Sequence, residues 1–219
     1  MICAVLGDPA YPAGGCRIVL YCEDGFFRTC ISGATAWDTT PWDRQLSNYP
    51  VQLAVVKGRV YALLLSGDLL LFDFMFSFHY LIMRIQDEPN AFRLTHKMGP
   101  YLVEHDGKVF TVHCTFLPLP SSPDMVKFRV CQLVKRRWVE QENLNGMALF
   151  VDARGSAMLR ARPGEWGGKE NHVYASGWLW DDWKVFPFGK SIRSDDIPVD
   201  NSVEACWPTP HWMLPCSCY

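Results

Sequence analysis

The 219-residue chain is 49% hydrophobic and 20% charged, which excludes a disordered chain and allows a sizeable core. Its formal net charge of −2 excludes a global electrostatic attraction to nucleic acid or to an anionic membrane. The most apolar stretch, residues 60–85, is broken by Asp68, Asp73, His79 and Arg84, which excludes a membrane helix of roughly 20 nearly uncharged residues.

In chain order, Ile2-Cys3-Ala4-Val5-Leu6 is a short apolar run that stops at Gly7-Asp8-Pro9. No basic stretch precedes it, so it does not read as a secretory signal. Candidate strands follow at 17–22 and 26–31. Residues 51–56, 60–65 and 69–74 are three strand-length runs separated by Lys57-Gly58-Arg59 and Ser66-Gly67-Asp68. Runs this short, punctuated by glycine, predict an antiparallel meander and not a helix. After Asp106-Gly107, residues 110–116 alternate strictly. Phe110, Val112, Cys114 and Phe116 share one face, and Thr111, His113 and Thr115 the other. Further strands are predicted at 125–134, 138–141, 147–152, 172–176 and 183–188, with Asn145-Gly146 as a hairpin turn.

A repeat runs through these strands. Gly58-Arg59-Val60-Tyr61-Ala62-Leu63 matches Gly107-Lys108-Val109-Phe110-Thr111-Val112: glycine, a base, valine, an aromatic, a small residue, then an aliphatic. The two copies stand about one propeller blade apart. Asn171-His172-Val173-Tyr174-Ala175 is a looser third copy.

Nine cysteines, an odd number, with no secretion signal predict reduced thiols and an intracellular site, cytoplasm or nucleus. Chemistry-bearing motifs are sparse: no nucleophile elbow, phosphate-binding loop, dinucleotide fingerprint or zinc-protease motif occurs. Cys206, His211, Cys216 and Cys218 offer soft ligands, but their spacing is not that of a paired zinc site. Trp178-Leu179-Trp180-Asp181-Asp182-Trp183 could stack on a sugar with paired carboxylates beside it. The alternative, favoured here, is a hairpin with Asp181-Asp182 in the turn and the tryptophans packed. Lys135-Arg136-Arg137 reads as a solvated turn between strands. The Trp-Asp pairs at 37–38, 42–43 and 180–181 do not recur at a blade period. The expectation is therefore no catalytic, cofactor-binding or metal-binding residue.

The C-terminal half carries ordered short motifs. Phe128-Arg129-Val130 leads to Trp138-Val139-Glu140, then Leu144-Asn145-Gly146-Met147-Ala148-Leu149-Phe150-Val151. Ser156-Ala157-Met158-Leu159-Arg160-Ala161, Asn171-His172-Val173-Tyr174 and Trp207-Pro208-Thr209-Pro210-His211-Trp212-Met213-Leu214-Pro215 follow. Upstream stand Val55 with Lys57-Gly58-Arg59-Val60-Tyr61-Ala62-Leu63, Gly67-Asp68-Leu69, and Tyr101-Leu102-Val103-Glu104 with Gly107. In this order they resemble the plant F-box-associated β-propeller family known as domain of unknown function 295. The resemblance covers most of the chain from about residue 50 onward.

The resemblance implies a propeller that recognises a protein substrate for a ubiquitin ligase. In that family an F-box docking a Skp-type adaptor often precedes the blades. No F-box segment stands before the blades here, which argues against direct adaptor binding. The expected fold is all-β, a partial β-propeller of about four antiparallel meander blades forming one incomplete domain over residues 1–219. The expected function is non-enzymatic protein interaction with an unknown protein partner, without nucleic acid or membrane. The alternatives are a carbohydrate-binding or hydrolytic propeller using Asp181 and Asp182, or a truncated product without independent function.

Overall fold

The computed structural model describes residues 2–7, 16–42, 49–73, 79–83, 98–119, 122–152, 156–177, 180–190 and 192–193. The chain divides into two compact units. The first is formed for the most part by Met1–Phe92, the second by Arg93–Val134 and Trp138–Ser217.

In the first unit, β1 (Ile2–Gly7), β2 (Cys16–Tyr21), β3 (Phe26–Ile31) and β4 (Asp38–Pro41) form one sheet in chain order. A second sheet in chain order holds β5 (Pro50–Val56), β6 (Arg59–Leu64), β7 (Leu69–Asp73) and β8 (His79–Met83). Both are antiparallel throughout. Lys57 and Gly58 both have positive φ, 49° and 71°, so the β5–β6 turn is of the mirror-image kind that matches strand twist. Strand alternation then decides the packing. Val60, Ala62 and Leu64 share a face of β6 and join Leu53, Leu70 and Phe72 against Ala4, Val19, Phe27 and Trp42 of the other sheet. Phe27 is the pivot, with its ring 4.9 Å from Phe72 and 6.1 Å from Trp42, both edge-on.

In the second unit, β9 (Met98–His105), β10 (Lys108–Leu119), β11 (Ser122–Val134) and β12 (Arg137–Glu140) again follow chain order. The fourth sheet holds β13 (Ala148–Asp152), β14 (Ser156–Arg160), β15 (His172–Gly177) and β16 (Trp180–Pro187). A short β17 (Ile192–Arg193) pairs with β11 at Met125 and Val126. Phe110, Val112 and Cys114 of β10, with Tyr101, Val126, Phe128 and Val130, pack on Leu149, Val151, Leu159, Val173 and Phe186. Thr111 and His113, on the opposite face of β10, are buried as well, so both faces of this strand are covered.

All-β architecture in four-stranded sheets is the blade pattern of a β-propeller, as the strand and turn pattern predicts. The two good copies of the repeat fall at equivalent places, the hairpin turn and second strand of the β5–β8 and β9–β12 sheets. Two sheets are plain meanders, and the β9–β12 sheet is a meander with β17 added beside β11. The fourth is ordered β14-β13-β15-β16, and β13 runs parallel to β15. The physical reason lies in β13 itself. Ala148, Leu149, Phe150 and Val151 are all fully buried, so the strand needs a neighbour on each side and cover on each face. The segment between β14 and β15, with one 3-10 turn at Pro163–Trp166, supplies the crossover that a parallel pair requires.

This arrangement corrects two local expectations. Asp181 and Asp182 lie within β16 and not in a turn, since they follow Trp180, which is already paired with Gly177. Asn145-Gly146 does turn, with φ of 52° and 78°, but it joins strands of different sheets and closes no hairpin. The looser third repeat copy lies on β15, the third strand of its sheet and not the second. Among the described residues no helix is long and apolar enough to cross a membrane.

Candidate interaction surface

Loops carried by a packed sheet are where binding residues concentrate, because the sheet fixes them while leaving their side chains free. One end of the β13–β16 sheet gathers three such loops: 141–147, 161–171 and 188–190. Asn171 ties them together. Its φ of 54° puts it in the left-handed region that asparagine tolerates better than most residues. There its side-chain oxygen accepts the backbone N–H groups of Leu144 (2.9 Å) and Gly146 (3.4 Å). Its own N–H donates to the Met147 carbonyl, and its carbonyl accepts from Phe188, each at 2.8 Å.

The neighbours reinforce this node. Asn143 Oδ1 accepts from the Asn145 N–H at 2.9 Å, and the Met147 N–H closes the turn on the Leu144 carbonyl at 3.0 Å. Leu144 is 1% exposed and anchors the loop in the core. In the 161–171 loop, the Lys169 N–H donates to the Tyr174 hydroxyl at 2.7 Å, and Gly168 to the Pro163 carbonyl at 2.8 Å. Tyr174 is itself held by stacking on Phe150, 4.9 Å between ring centres, with Trp183 edge-on to Phe150 at 6.2 Å.

The result is a fixed backbone with exposed side chains. Glu142, Asn143, Asn145, Arg162, Glu165, Lys169, Glu170 and Lys190 all face solvent. Three acids and three bases leave the patch without a dominant sign. That suits a polar protein surface better than a polyanion.

The residues singled out for chemistry are described only in part. Trp183 is buried against Phe150 and offers no stacking platform. The backbone of Asp181-Asp182 is in the sheet, as described above, and Cys206, His211, Cys216 and Cys218 lie outside the described residues. Among the described residues no group of three His, Cys, Asp or Glu side chains could hold a metal ion. Burial pushes the Cys114 thiol up to about 12 and the Tyr101 phenol higher still, so both stay protonated and unreactive at neutral pH. Lys135-Arg136 forms the predicted exposed turn, and Arg137 opens β12.

The sequence places Asn171 in the loose third repeat copy and in an ordered motif, but assigns it no role in holding loops. An asparagine just before a strand, with charged residues on its N-terminal side, is a recognisable signal for a left-handed residue. Its three-loop role depends on partners 17 to 27 positions away. A family model described as KIB1-4 beta-propeller matches residues 3–201. No curated protein and no solved structure matches the chain.

Proposed function

Because the chain belongs to the KIB1-4 β-propeller family, we propose that it is a non-enzymatic protein-interaction module whose contact surface is the loop end of the β13–β16 sheet. The observation that carries this reading is the Asn171 node, which holds three loops in one geometry while their charged side chains stay exposed. Preorganised loops lose little entropy on binding, so modest contacts suffice for affinity.

The finer reading is that the module selects a protein substrate in the manner of F-box-associated propellers in ubiquitin ligases. It rests on the ordered motifs from Val55 to Tyr174 that resemble that family. The partner is then an intracellular protein, with neither nucleic acid nor membrane required.

The test is affinity capture with the whole chain, followed by titration of the captured protein in purified form. A triple variant, Glu165→Lys with Lys169→Glu and Lys190→Glu, reverses exposed charges without touching the Asn171 bonds. Arg162 and Glu165 are 79% and 66% exposed, so losing their 3.2 Å pair barely affects stability. The expected result is one-to-one binding by the wild type, lost in the triple variant, with faster turnover of the partner when the chain is co-expressed. Equal binding by both chains would overturn the surface. Unchanged partner turnover would overturn the ligase reading.

A further inference from the structure

A second surface stands at the edge of the β1–β4 sheet, within the first unit. Among the described residues β4 pairs with β3 alone, so its outer edge is open. The ladder fixes which backbone groups point outward there. Phe26 pairs with Pro41, Phe27 with Thr40, Arg28 with Thr39 and Thr29 with Asp38. One step further, the Trp42 N–H donates to the Gly25 carbonyl at 2.9 Å. Hydrogen-bonded pairs alternate along an antiparallel ladder, so Thr40 and Asp38 turn their N–H and C=O groups toward β3, as Trp42 turns its N–H. Pro41 and Thr39 face the other way. Proline therefore costs the ladder nothing at position 41.

Peptide planarity then gives the inventory of the open edge. The carbonyls of Trp37, Thr39 and Pro41 point outward, each opposed to the inward N–H of the residue after it. Thr39 supplies an outward N–H, and Pro41 has none to supply. Asp38, Thr39 and Pro41 are exposed, and Trp37 at the entry to the strand is 44% exposed. An edge richer in acceptors than in donors selects its occupant. A second copy of β4, set antiparallel about Thr39, brings the same surplus of acceptors. It leaves the Trp37 carbonyl facing a proline that has no N–H to give, and it sets the two Asp38 carboxylates diagonally across one face. An extended segment of a different protein presents an N–H from every second residue.

The geometry points to β4 as a docking edge for an extended segment of a second partner protein, distinct from the one held at the loop end. The segment runs antiparallel to β4, the recurrent mode in which a peptide adds a strand to an open edge. Its central residue lies opposite Thr39 and exchanges both backbone hydrogen bonds with it. The residues two before and two after the centre donate to the Pro41 and Trp37 carbonyls, so none of these three is proline. The residue just after the centre lies opposite Asp38 and is a lysine or arginine, by charge complementarity. The residue opposite Trp37 is apolar.

The test uses the full chain and a labelled heptapeptide, followed by fluorescence anisotropy. The peptide has valine at its second, fourth and sixth positions, lysine at the fifth and threonine elsewhere. Binding is expected, with slowed hydrogen exchange at the Thr39 amide. N-methylation of the valines removes the donors that face β4 and is expected to abolish binding. N-methylation at the third and fifth positions is expected to leave it unchanged. Thr39→Pro removes the outward N–H and, like Pro41, takes nothing from the ladder. It is expected to weaken the peptide by about fivefold, one hydrogen bond's worth, with an unchanged melting temperature. Asp38→Lys is expected to weaken the lysine peptide and to favour one with glutamate at the fifth position. The triple loop variant described above is expected to bind the peptide normally, which separates this edge from the loop end. Equal binding by Thr39→Pro, equal binding of the valine-methylated peptide, or no binding of the parent peptide would each overturn the assignment. So would a dimer in sedimentation that Thr39→Pro dissolves, which would give the edge to a second copy.

Discussion

Asn171 provides the sharpest test of how the loop end is built. Asn171→Ala removes the acceptor shared by the Leu144 and Gly146 N–H groups and leaves the Leu144 donor beside a buried side chain. An unsatisfied buried donor costs about 1 to 3 kcal/mol. Alanine at a φ of 54° adds about 1 kcal/mol of backbone strain that asparagine largely avoids. The total loss is about 2 to 4 kcal/mol. Asn171→Gly removes the side chain but relieves the strain, so it loses only the first part, about 1 to 3 kcal/mol. Asn171→Asp keeps an acceptor in place and loses least. The assay is urea unfolding of the three variants beside wild type, with amide hydrogen exchange at Leu144 as the local readout. The predicted order of stability is wild type, Asp, Gly, Ala, with faster Leu144 exchange in Gly and Ala alone. If Asp were as damaging as Ala, or if Ala lay within about 0.5 kcal/mol of wild type, the node would not hold the loops.

Other consequences follow from the same physics. Gly99 has a φ of +88°, and a Cβ there would lie 2.7 Å from the Val112 carbonyl oxygen, so Gly99→Ala is expected to cost about 2 to 4 kcal/mol in denaturant unfolding. Gly58→Ala, at +71° in open space, is expected to cost only about 1 to 2 kcal/mol. The hydrogen bond from Arg129, aided by its charge, holds the Glu140 carboxyl below its ordinary value of 4.5. A lowered folded-state pKa adds stability that is present above that value and is lost as pH falls below it toward the folded value. With Glu140 42% exposed, Glu140→Gln is expected to lose about 0.5 kcal/mol at pH 7, a difference that disappears in acid-titrated melts. Phe150→Ala empties a fully buried site between Tyr174 and Trp183 and is expected to cost about 3 to 5 kcal/mol, read by thermal unfolding.

Much of this architecture was legible locally. Lys57-Gly58 and Asp106-Gly107 announce tight hairpins because glycine supplies positive φ, and the alternation from Phe110 to Cys114 fixes which side chains meet the next sheet. What escaped depends on pairing between distant strands. Two adjacent aspartates read as turn residues, yet Asp181 and Asp182 lie in β16 because Val173 pairs with Phe186 and Tyr174 with Val185, carrying the register past them. The parallel β13–β15 pair had one faint signal, the uninterrupted Ala148-Leu149-Phe150-Val151, which marks a strand covered on both faces. Asn145-Gly146 kept its local conformation but lost its predicted role, since turn chemistry sets dihedrals and not which strands pair. The interaction surface was least legible, because Asn171 gathers its partners from loops far apart in sequence.

The most direct measurement is hydrogen exchange of the whole chain, free and saturated with the captured partner. Binding at the loop end predicts slowed exchange at residues 142–146 and 161–171, with 38–41 in β4 unchanged. Protection confined to β4, or none in either loop, would contradict it.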